Sequence, residues 1–352
     1  MIYSACIWEG GLKIMQSNRN ITVDIARTIA MLGIVIGHLG VGPLVRYVFP
    51  FNVTMFYLVS GYFTRPGNDF RKFLNHKIRT LIAPYFISCV SILPFWLLRS
   101  TTQYAKGSVQ SQFLYWISAT CYGAGFSAAS YIKSIGSIWF LWAMFWASLI
   151  FYGLLKCHPY VRLVAVFSLF WLSILSTKYI WLPLSIQSSG AGLLFIYIGY
   201  LYRQVETEIR KLPKEQKYAS YVIMGWLCGS FILNFQSFWL VSDDVGRGIT
   251  DILGSISSCS LILIFCSYFA KTQNNIILGF GYFGKYTIMM FFLHFFEDST
   301  GILRFVARRI AHSTSSGTFY LLKFIFEMIW IFVGTYLLSK ISKVRKFFGL
   351  KE

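Results

Sequence analysis

Ten separate apolar stretches constrain this chain more than any other feature of its sequence. They lie at about 21–41, 50–64, 80–98, 135–155, 160–177, 188–202, 218–240, 249–270, 275–297 and 318–340. Most of them approach the roughly 20 residues that an α-helix needs to cross a bilayer. The second and the sixth are short, which is typical of a broken or half-buried helix. We therefore expect an all-α polytopic membrane protein with about ten transmembrane helices in one bundle.

The balance of apolar and charged residues excludes a water-soluble enzyme and a nucleic-acid-binding domain. Of the 352 residues, 56% are hydrophobic and 13% are charged, whereas soluble domains carry roughly 25% charged residues. A formal net charge of +19 would indicate nucleic acid in a soluble protein. In a membrane protein the same excess marks cytoplasmic loops and anionic headgroups. We therefore expect the lipid bilayer, and no nucleic acid, among the partners.

The distribution of Lys and Arg predicts that both termini are cytoplasmic. With the amino terminus inside, the inner segments hold 21 of the 32 basic residues and the outer segments hold 10, with Arg27 left inside the first helix. This bias follows the positive-inside rule. The run Arg304, Arg308 and Arg309 breaks the pattern. It is either an external functional patch or a sign that the topology fails there.

The chain is predicted to form one membrane domain, from 21 to 340, with a short tail at each end. The tail at 1–20 lacks the features of a signal peptide, and Met15 is a possible true start within it. The tail at 341–352 is basic. The 7 cysteines show no ligand-like spacing, so no metal is expected.

Ionisable residues at membrane depth are functional candidates, because each costs roughly 2.5–3.5 kcal/mol on insertion. The first stretch holds Asp24, Arg27 and His38. An eleven-residue spacing places Arg27 and His38 on one helix face, about 16 Å apart along the axis, and Asp24 can pair with Arg27 at i+3. One interpretation is an interfacial ion pair with His38 at the outer boundary. The other is a buried polar column facing the bundle interior.

The chemistry of these side chains is compatible with acyl transfer to an alcohol. His38 can take and return a proton near neutral pH, as a general base must. Arg27 keeps its charge and can hold a phosphate, a carboxylate or a developing oxyanion. His294 is predicted at a similar depth, either at the headgroup boundary or in the same site. Glu297 and Asp298 are expected to be solvated and are weak candidates for orienting an imidazole.

A basic segment at 65–79 lies beside the membrane. An ordinary positive-inside loop explains it without any function. The alternative is a basic mouth, with Arg71, Lys77 and Arg79 binding the phosphates of a cytosolic acyl-coenzyme A.

The tenth stretch also carries ionisable residues. Lys323 and Glu327 stand at i and i+4, a spacing at which opposite charges pair on one helix face. We therefore predict a structural ion pair there.

From about residue 20 to 340, motifs occur in an order that resembles the acyltransferase-3 family of membrane O-acyltransferases, particularly its fucose-4-O-acetylase-like branch. In the segment DIARTIAMLGIVIGH, Arg27 and His38 match the Arg and His pair of the family, and Asp24 precedes them as is usual there. The resemblance implies that His38 is the base and that Arg27 is essential beside it.

Two later segments continue the resemblance. FNVTMFYLVSGYF is similar to the aromatic-rich second helix of the family, which makes Ser60 and Tyr62 supporting residues. KIRTLIAPYF resembles the basic run that is followed by Pro and Tyr, with Arg79 at the second position of an Arg-x-x-Arg pattern. His76 stands where the first Arg is expected, and Lys77 can take its place.

The last matches are GSIWFLWAMF, which contributes Trp139, and GYFGKYTIMMFFLH, which contributes His294. The resemblance implies acetyl-coenzyme A as the acyl donor and a sugar hydroxyl as the acceptor, in the inner membrane of a bacterium.

The function expected from these observations is an O-acetyltransferase of a surface glycan (O-antigen, capsule or exopolysaccharide) or of its lipid-linked precursor. The alternative is a non-enzymatic exporter of polysaccharide or lipid-linked sugar that uses the same polar column as a passage. An exporter would be indifferent to acetyl-coenzyme A.

Overall fold

A computed structural model describes residues 20–67, 69–100, 108–127, 131–272, 274–311 and 316–350, without the side chains of 98–100 and 316. Met15 and most of the predicted amino-terminal tail lie outside the described residues. Within these ranges the chain is helical, and its only β-type pairings are isolated bridges. The predicted all-α class is therefore confirmed for the described part of the chain.

Each of the ten apolar stretches coincides with helical structure. The helices are α1 (Ile21–Gly37), α2 (Gly42–Val48), α3 (Thr54–Phe63), α4 (Phe70–Lys77), α5 (Ala83–Ser100), α6 (Val109–Tyr122), α7 (Trp139–Leu154), α8 (Pro159–Ser176), α9 (Ser188–Lys211), α10 (Lys214–Leu233), α11 (Ile249–Phe269), α12 (Asn275–Lys285), α13 (Thr287–Thr300), α14 (Ile302–Ile310), α15 (Ser316–Lys340) and α16 (Ser342–Phe347). A π-helical turn at Ile78–Ile82 joins α4 to α5, and a 3₁₀ turn at Leu240–Ser242 precedes α11.

The lengths of the helices do not show the predicted number of about ten membrane spans. In the described part of the chain, 4 helices are long and apolar enough to cross a membrane: Phe70–Leu97, Pro159–Ser176, Ile249–Phe269 and Gly317–Lys340. The pair α12 and α13 bends by 77° and gives a fifth span if it is counted as one. Several other apolar helices are short, with 17 residues in α1, 10 in α3 and 16 in α7. The structure supports a membrane protein but does not show ten spans.

Close helix packing brings α3 into the centre of the bundle, against α9. A Cβ added at Gly61 would lie only 1.9 Å from the carbonyl oxygen of Ile196. Small residues allow helix backbones to approach this closely where apolar side chains would hold them apart. The same short helix buries Tyr57, whose ring packs edge-on against Phe140 of α7 with centroids 5.2 Å apart.

Helix α1 packs along α12. At its carboxyl end it contacts α13 and α15. Thr28 donates its hydroxyl hydrogen to the carbonyl oxygen of Phe280 at 2.6 Å. Gly284 of α12 abuts the backbone of α1, since an added Cβ would lie 1.8 Å from the carbonyl oxygen of Asp24. The polar residues of α1 are therefore fixed by contacts with the last third of the chain.

Helix α6 lies between the third and the fourth apolar stretches. It packs along α5, where the indole of Trp116 donates to the carbonyl oxygen of Cys89 at 3.0 Å. The hydroxyl of Tyr85 donates to the carbonyl oxygen of Thr120 at 2.7 Å. This helix outside the apolar stretches therefore also belongs to the helical bundle.

Candidate active site

The structure divides the predicted site residues between two regions along α1. Arg27, Ser60 and Lys77 line a cavity beside the basic segment. His38 and His294 meet at the carboxyl end of α1. The spacing of Arg27 and His38 along the helix corresponds to about 16 Å of axial rise, so the two regions are neighbours and not one cluster.

The cavity has a volume of about 500 Å³ and combines cationic and hydroxyl groups with an apolar wall. Its polar lining consists of Arg27, Ser60, Thr64, Arg65, His76, Lys77, Thr80 and Thr287. Met, Ile, Leu and Phe side chains of α1, α3, α7 and α13 supply most of the remaining surface. Such a lining suits a ligand with both an anionic part and an apolar part.

Arg27 is oriented by the buried carboxylate of Asp24. The two side chains form an ion pair with Nη1 and Oδ1 3.3 Å apart, at the i, i+3 spacing that the sequence indicated. The Arg27 side chain is 28% exposed and faces the cavity. Because arginine stays protonated, the cavity keeps a fixed positive charge at this point.

Lys77 brings a second positive charge to the same cavity. Its Nζ donates to the Ser148 hydroxyl at 3.0 Å and lies 5.5 Å from the centre of the Phe73 ring. Among the ion pairs of the described residues, none includes Lys77 or Arg65. These two cations can therefore receive the charge of an anionic ligand.

The other predicted residues near this cavity lie outside its lining. Arg71 and Arg79 are exposed. Tyr62 points away from the cavity and donates its hydroxyl hydrogen to Oε2 of Glu206 at 2.6 Å. Trp139 is buried at the amino end of α7, where it packs against the neighbouring Phe140 ring. His76 and Arg65, by contrast, belong to the lining.

The two histidines face each other edge-on, with ring centroids 5.0 Å apart and planes at 64°. Nδ1 of His38 lies 2.9 Å from the carbonyl oxygen of Ile34. Since a carbonyl can only accept, Nδ1 carries the hydrogen and Nε2 presents a lone pair in the neutral ring. His38 is also accessible to solvent, although protein atoms surround it on most sides.

His294 is held by a carboxylate on the last long helix. Its Nδ1 lies 2.7 Å from Oε1 of Glu327, and both residues are almost completely buried. Its Nε2 is buried and has no hydrogen-bond partner in the described part of the chain. A carboxylate behind an imidazole fixes the orientation of the ring and stabilises its positive form, as the third residue of a catalytic triad does.

Lys323 does not form the ion pair with Glu327 that the i, i+4 spacing predicted. Its Nζ donates instead to the carbonyl oxygen of His38 at 2.9 Å and to that of Leu39 at 3.4 Å. The last carbonyls of a helix have no partner within the helix and attract cations. Glu327 meanwhile turns to His294, so each member of the predicted pair has a tertiary partner.

Glu297 also differs from expectation. Glu297 is 2% exposed, not solvated, and accepts the backbone N–H groups of Leu303 and Arg304, each at 2.9 Å. It closes the amino end of α14 and orients no imidazole. Asp298 stays partly exposed, and its Oδ1 lies 4.0 Å from Nη2 of Arg304.

Sequence reasoning therefore missed the two residues of α15 that complete the histidine cluster, Lys323 and Glu327. Their signal was visible as paired charges in an otherwise apolar helix, at a depth where charges are costly. The described residues contain no group of three His, Cys, Asp or Glu side chains arranged to hold a metal ion. The cluster has the parts needed for proton transfer: an accessible imidazole, a second imidazole and a carboxylate.

Comparison with known families gives one match. The model of the acyltransferase-3 family (Acyl_transf_3), described as an acyltransferase domain, matches residues 20–341. No curated protein and no solved structure matched the chain.

Proposed function

The chain belongs to the acyltransferase-3 family, and from this premise we propose that it is a membrane-bound O-acetyltransferase. Family membership supports an acyltransferase in general. The donor in our proposal is acetyl-coenzyme A, and the acceptor is a hydroxyl of a bacterial surface glycan or of its lipid-linked precursor. The resemblance of the chain to the fucose-4-O-acetylase-like branch of the family favours an acceptor of this kind.

One observation carries the proposal: a cationic cavity and a solvent-accessible histidine lie at two depths of the same helix. The cavity offers Arg27, Arg65 and Lys77 to the phosphates of coenzyme A. Its apolar wall can accommodate the uncharged arm that carries the thioester. His38 lies further along α1, where the acetyl group would meet the acceptor.

In the proposed reaction, Nε2 of His38 accepts the proton of the acceptor hydroxyl. The hydroxyl oxygen then attacks the thioester carbonyl, a C–O bond forms, and the C–S bond breaks. Coenzyme A leaves as a thiolate, and the proton on His38 is available to it. Hydroxyl activation of this kind contributes about 10²- to 10⁴-fold to a rate.

His294 and Glu327 support this step without needing to reach the substrate. The carboxylate of Glu327 lies behind His294, and the His294 ring contacts the His38 ring. The carboxylate of Glu327 stabilises positive charge on the His294 ring, which is the ring that contacts His38. Lys323 holds the backbone of His38 in place.

The proposal can be tested by mass spectrometry of the surface polysaccharide from a host in which the gene is deleted. We expect an acetyl increment of mass to disappear on deletion and to return with the wild-type gene. It should not return with His38→Ala or Arg27→Ala. His158→Ala is the matched control, because His158 is exposed at the amino end of α8 and lies outside both regions.

An unchanged acetylation pattern with less polysaccharide at the cell surface would contradict the transferase and favour an exporter. Immunoblots of the membrane fraction must show equal amounts of each variant. Consumption of acetyl-coenzyme A by the purified protein gives a second readout, since an exporter would not consume it.

A further inference from the structure

Helix α14 has an exposed apolar face although it lies beside the charged residues of the histidine cluster. Ile302, Phe305 and Ile310 are 44%, 52% and 57% exposed. Ala307, on the opposite side, is fully buried, and α14 packs against α15. A short helix with an apolar face and several arginines is suited to the boundary between lipid tails and headgroups.

Arg304 and Arg308 lie on the polar side of α14, one helical turn apart. The i, i+4 spacing brings their side chains next to each other. The guanidinium of Arg308 lies 5.7 Å from the centre of the Phe319 ring of α15. Among the ion pairs formed by described residues, none includes Arg308. Its N–H donors therefore remain available to an anion.

Arg309 has a different environment on the same helix. It projects on the apolar side, with its guanidinium 5.2 Å from the centre of the Phe305 ring. The amino end of the helix is already occupied, because Glu297 accepts the backbone N–H groups there. An anion at α14 would therefore meet the side chains of Arg304 and Arg308 and not the helix terminus.

This polar face is adjacent to the histidine cluster. Nη2 of Arg304 lies 4.0 Å from Oδ1 of Asp298, which stands one helical turn after His294 on α13. Between Glu297 and Ile310 the chain carries three arginines and two carboxylates, one of which is committed to the backbone. The balance at this surface is positive and complements an anion.

We propose that Arg304 and Arg308 bind the phosphate of a lipid-linked sugar, while its hydrocarbon tail lies along the apolar face of α14. This inference rests on the proposed function and specifies the acceptor as an amphiphile with a phosphate between tail and sugar. The phosphate on Arg304 and Arg308 would bring the attached sugar towards His38. Arginine suits this role because its planar fork can bind two phosphate oxygens at once.

Binding of farnesyl phosphate to the purified full chain in phosphatidylcholine nanodiscs tests the proposal. Farnesol, inorganic phosphate and phosphatidylglycerol serve as comparison ligands. We expect the double variant Arg304→Gln/Arg308→Gln to bind farnesyl phosphate at least about tenfold more weakly, which corresponds to about 1.4 kcal/mol. Arg309→Gln, with the same change on the other side of the helix, should bind as the wild type does.

The double variant Arg304→Lys/Arg308→Lys should retain part of the affinity, because it keeps the charge and loses the planar fork. This comparison separates lost binding from lost folding. Equal binding of farnesol would overturn the proposal by showing that the tail alone is recognised. Equal binding of inorganic phosphate or of phosphatidylglycerol would overturn it in favour of a free anion or an ordinary headgroup.

The measurement uses no acetyl donor, so its outcome does not depend on whether the chain transfers acetyl groups. A protein that binds farnesyl phosphate but never acetylates a glycan would leave this inference standing and contradict the proposed function. A protein that acetylates free polysaccharide but shows no preference for farnesyl phosphate would do the reverse.

Discussion

The histidine cluster and the cavity differ in how firmly their functional groups are held. In the cluster, Glu327 fixes His294 and Lys323 fixes the end of α1, through contacts of 2.7 and 2.9 Å. In the cavity, Asp24 orients Arg27, but Lys77 contacts only a hydroxyl group and an aromatic ring among the described residues, and Arg65 is exposed. Reacting atoms need a fixed geometry, whereas a large flexible ligand needs space and charge.

Under the proposed function, we expect the two regions to affect different kinetic constants, kcat and KM. Changes in the histidine cluster should lower the rate of the chemical step. Changes in the cavity should weaken the binding of the donor. The following measurements test that contrast.

The largest effect is expected for Glu327→Gln, which preserves the side-chain volume but removes the charge behind His294. We expect kcat to fall by about 10²- to 10⁴-fold, because the orientation and charge of the imidazole pair are lost. KM for acetyl-coenzyme A should remain within about twofold. Release of free coenzyme A from the purified protein measures both quantities.

Glu215→Gln is the control for this change, since Glu215 is exposed in the first turn of α10. An equal loss of kcat in both variants would show that the effect is unspecific. A rise in KM with an unchanged kcat would place Glu327 in donor binding and erase the contrast.

A smaller effect is expected for Lys77→Met, which removes a cation from the cavity wall and keeps the length of the side chain. Hydrogen bonds to charged groups contribute about 1.5–3 kcal/mol, so KM for acetyl-coenzyme A should rise by roughly 10- to 100-fold with little change in kcat. Lys72→Met is the matched control, because Lys72 is exposed on the same helix outside the lining. If kcat fell while KM stayed unchanged, the donor would have to bind elsewhere.

A pH-dependent effect is expected from Asp243, which belongs to neither region. It lies in the loop between α10 and α11, and burial raises the pKa of its carboxyl to about 8. In the unfolded chain this pKa is about 3.9. Between about pH 4 and pH 8 the folded state therefore binds more protons, and the free energy of unfolding falls by at most about 1.4 kcal/mol per pH unit as the pH rises.

Thermal unfolding of the detergent-solubilised protein between pH 5 and pH 8 checks this dependence. Asp243→Asn should flatten the decline in Tm with rising pH, whereas Asp244→Asn should retain it because Asp243 is intact. If the Tm of Asp243→Asn declined with rising pH as steeply as that of the wild type, the pH dependence could not be assigned to Asp243. The kinetic variants should then be compared at a pH where Asp243 does not limit stability.

The smallest effect is expected for Tyr62→Phe, beside the cavity. The change removes one hydrogen bond to Glu206 and costs about 1 kcal/mol in the free energy of unfolding. KM for acetyl-coenzyme A should rise only a few-fold, because Tyr62 does not line the cavity. Tyr202→Phe is the control, because the Tyr202 ring lies beside that of Tyr62. If Tyr202→Phe lowered Tm as much as Tyr62→Phe does, a specific role for the hydrogen bond between Tyr62 and Glu206 would be excluded.

Much of the helical fold could be predicted from the sequence, because apolar length and the satisfaction of backbone groups leave few alternatives in a membrane. Hydropathy alone does not fix the number of spans. Gly284 lies just before the bend between α12 and α13 and approaches the backbone of α1 closely, which is a tertiary contact. Hydropathy treats this segment as one continuous stretch and cannot locate such a break.

For the site, helical spacing predicted the pairing of Asp24 with Arg27, and equal depth suggested that His38 and His294 could meet. The partners of Lys323 and Glu327 could not be predicted in this way. Local spacing favours their mutual pairing by only about 0.2–0.5 kcal/mol, which tertiary contacts easily exceed. The catalytic and donor-binding roles of all these residues stay predictions until the variants are measured.

The residues of the histidine cluster are synthesised at widely separated times. His38 enters the membrane with the first apolar stretch, but Glu327 and Lys323 arrive with the tenth, about 285 residues later in translation. A ribosome-bound chain that has not yet released α15 would hold both histidines without the carboxylate and the lysine that fix them. Under the proposed function, the protein would become active only after the last long helix has been inserted, and an interrupted translation product would transfer no acyl group.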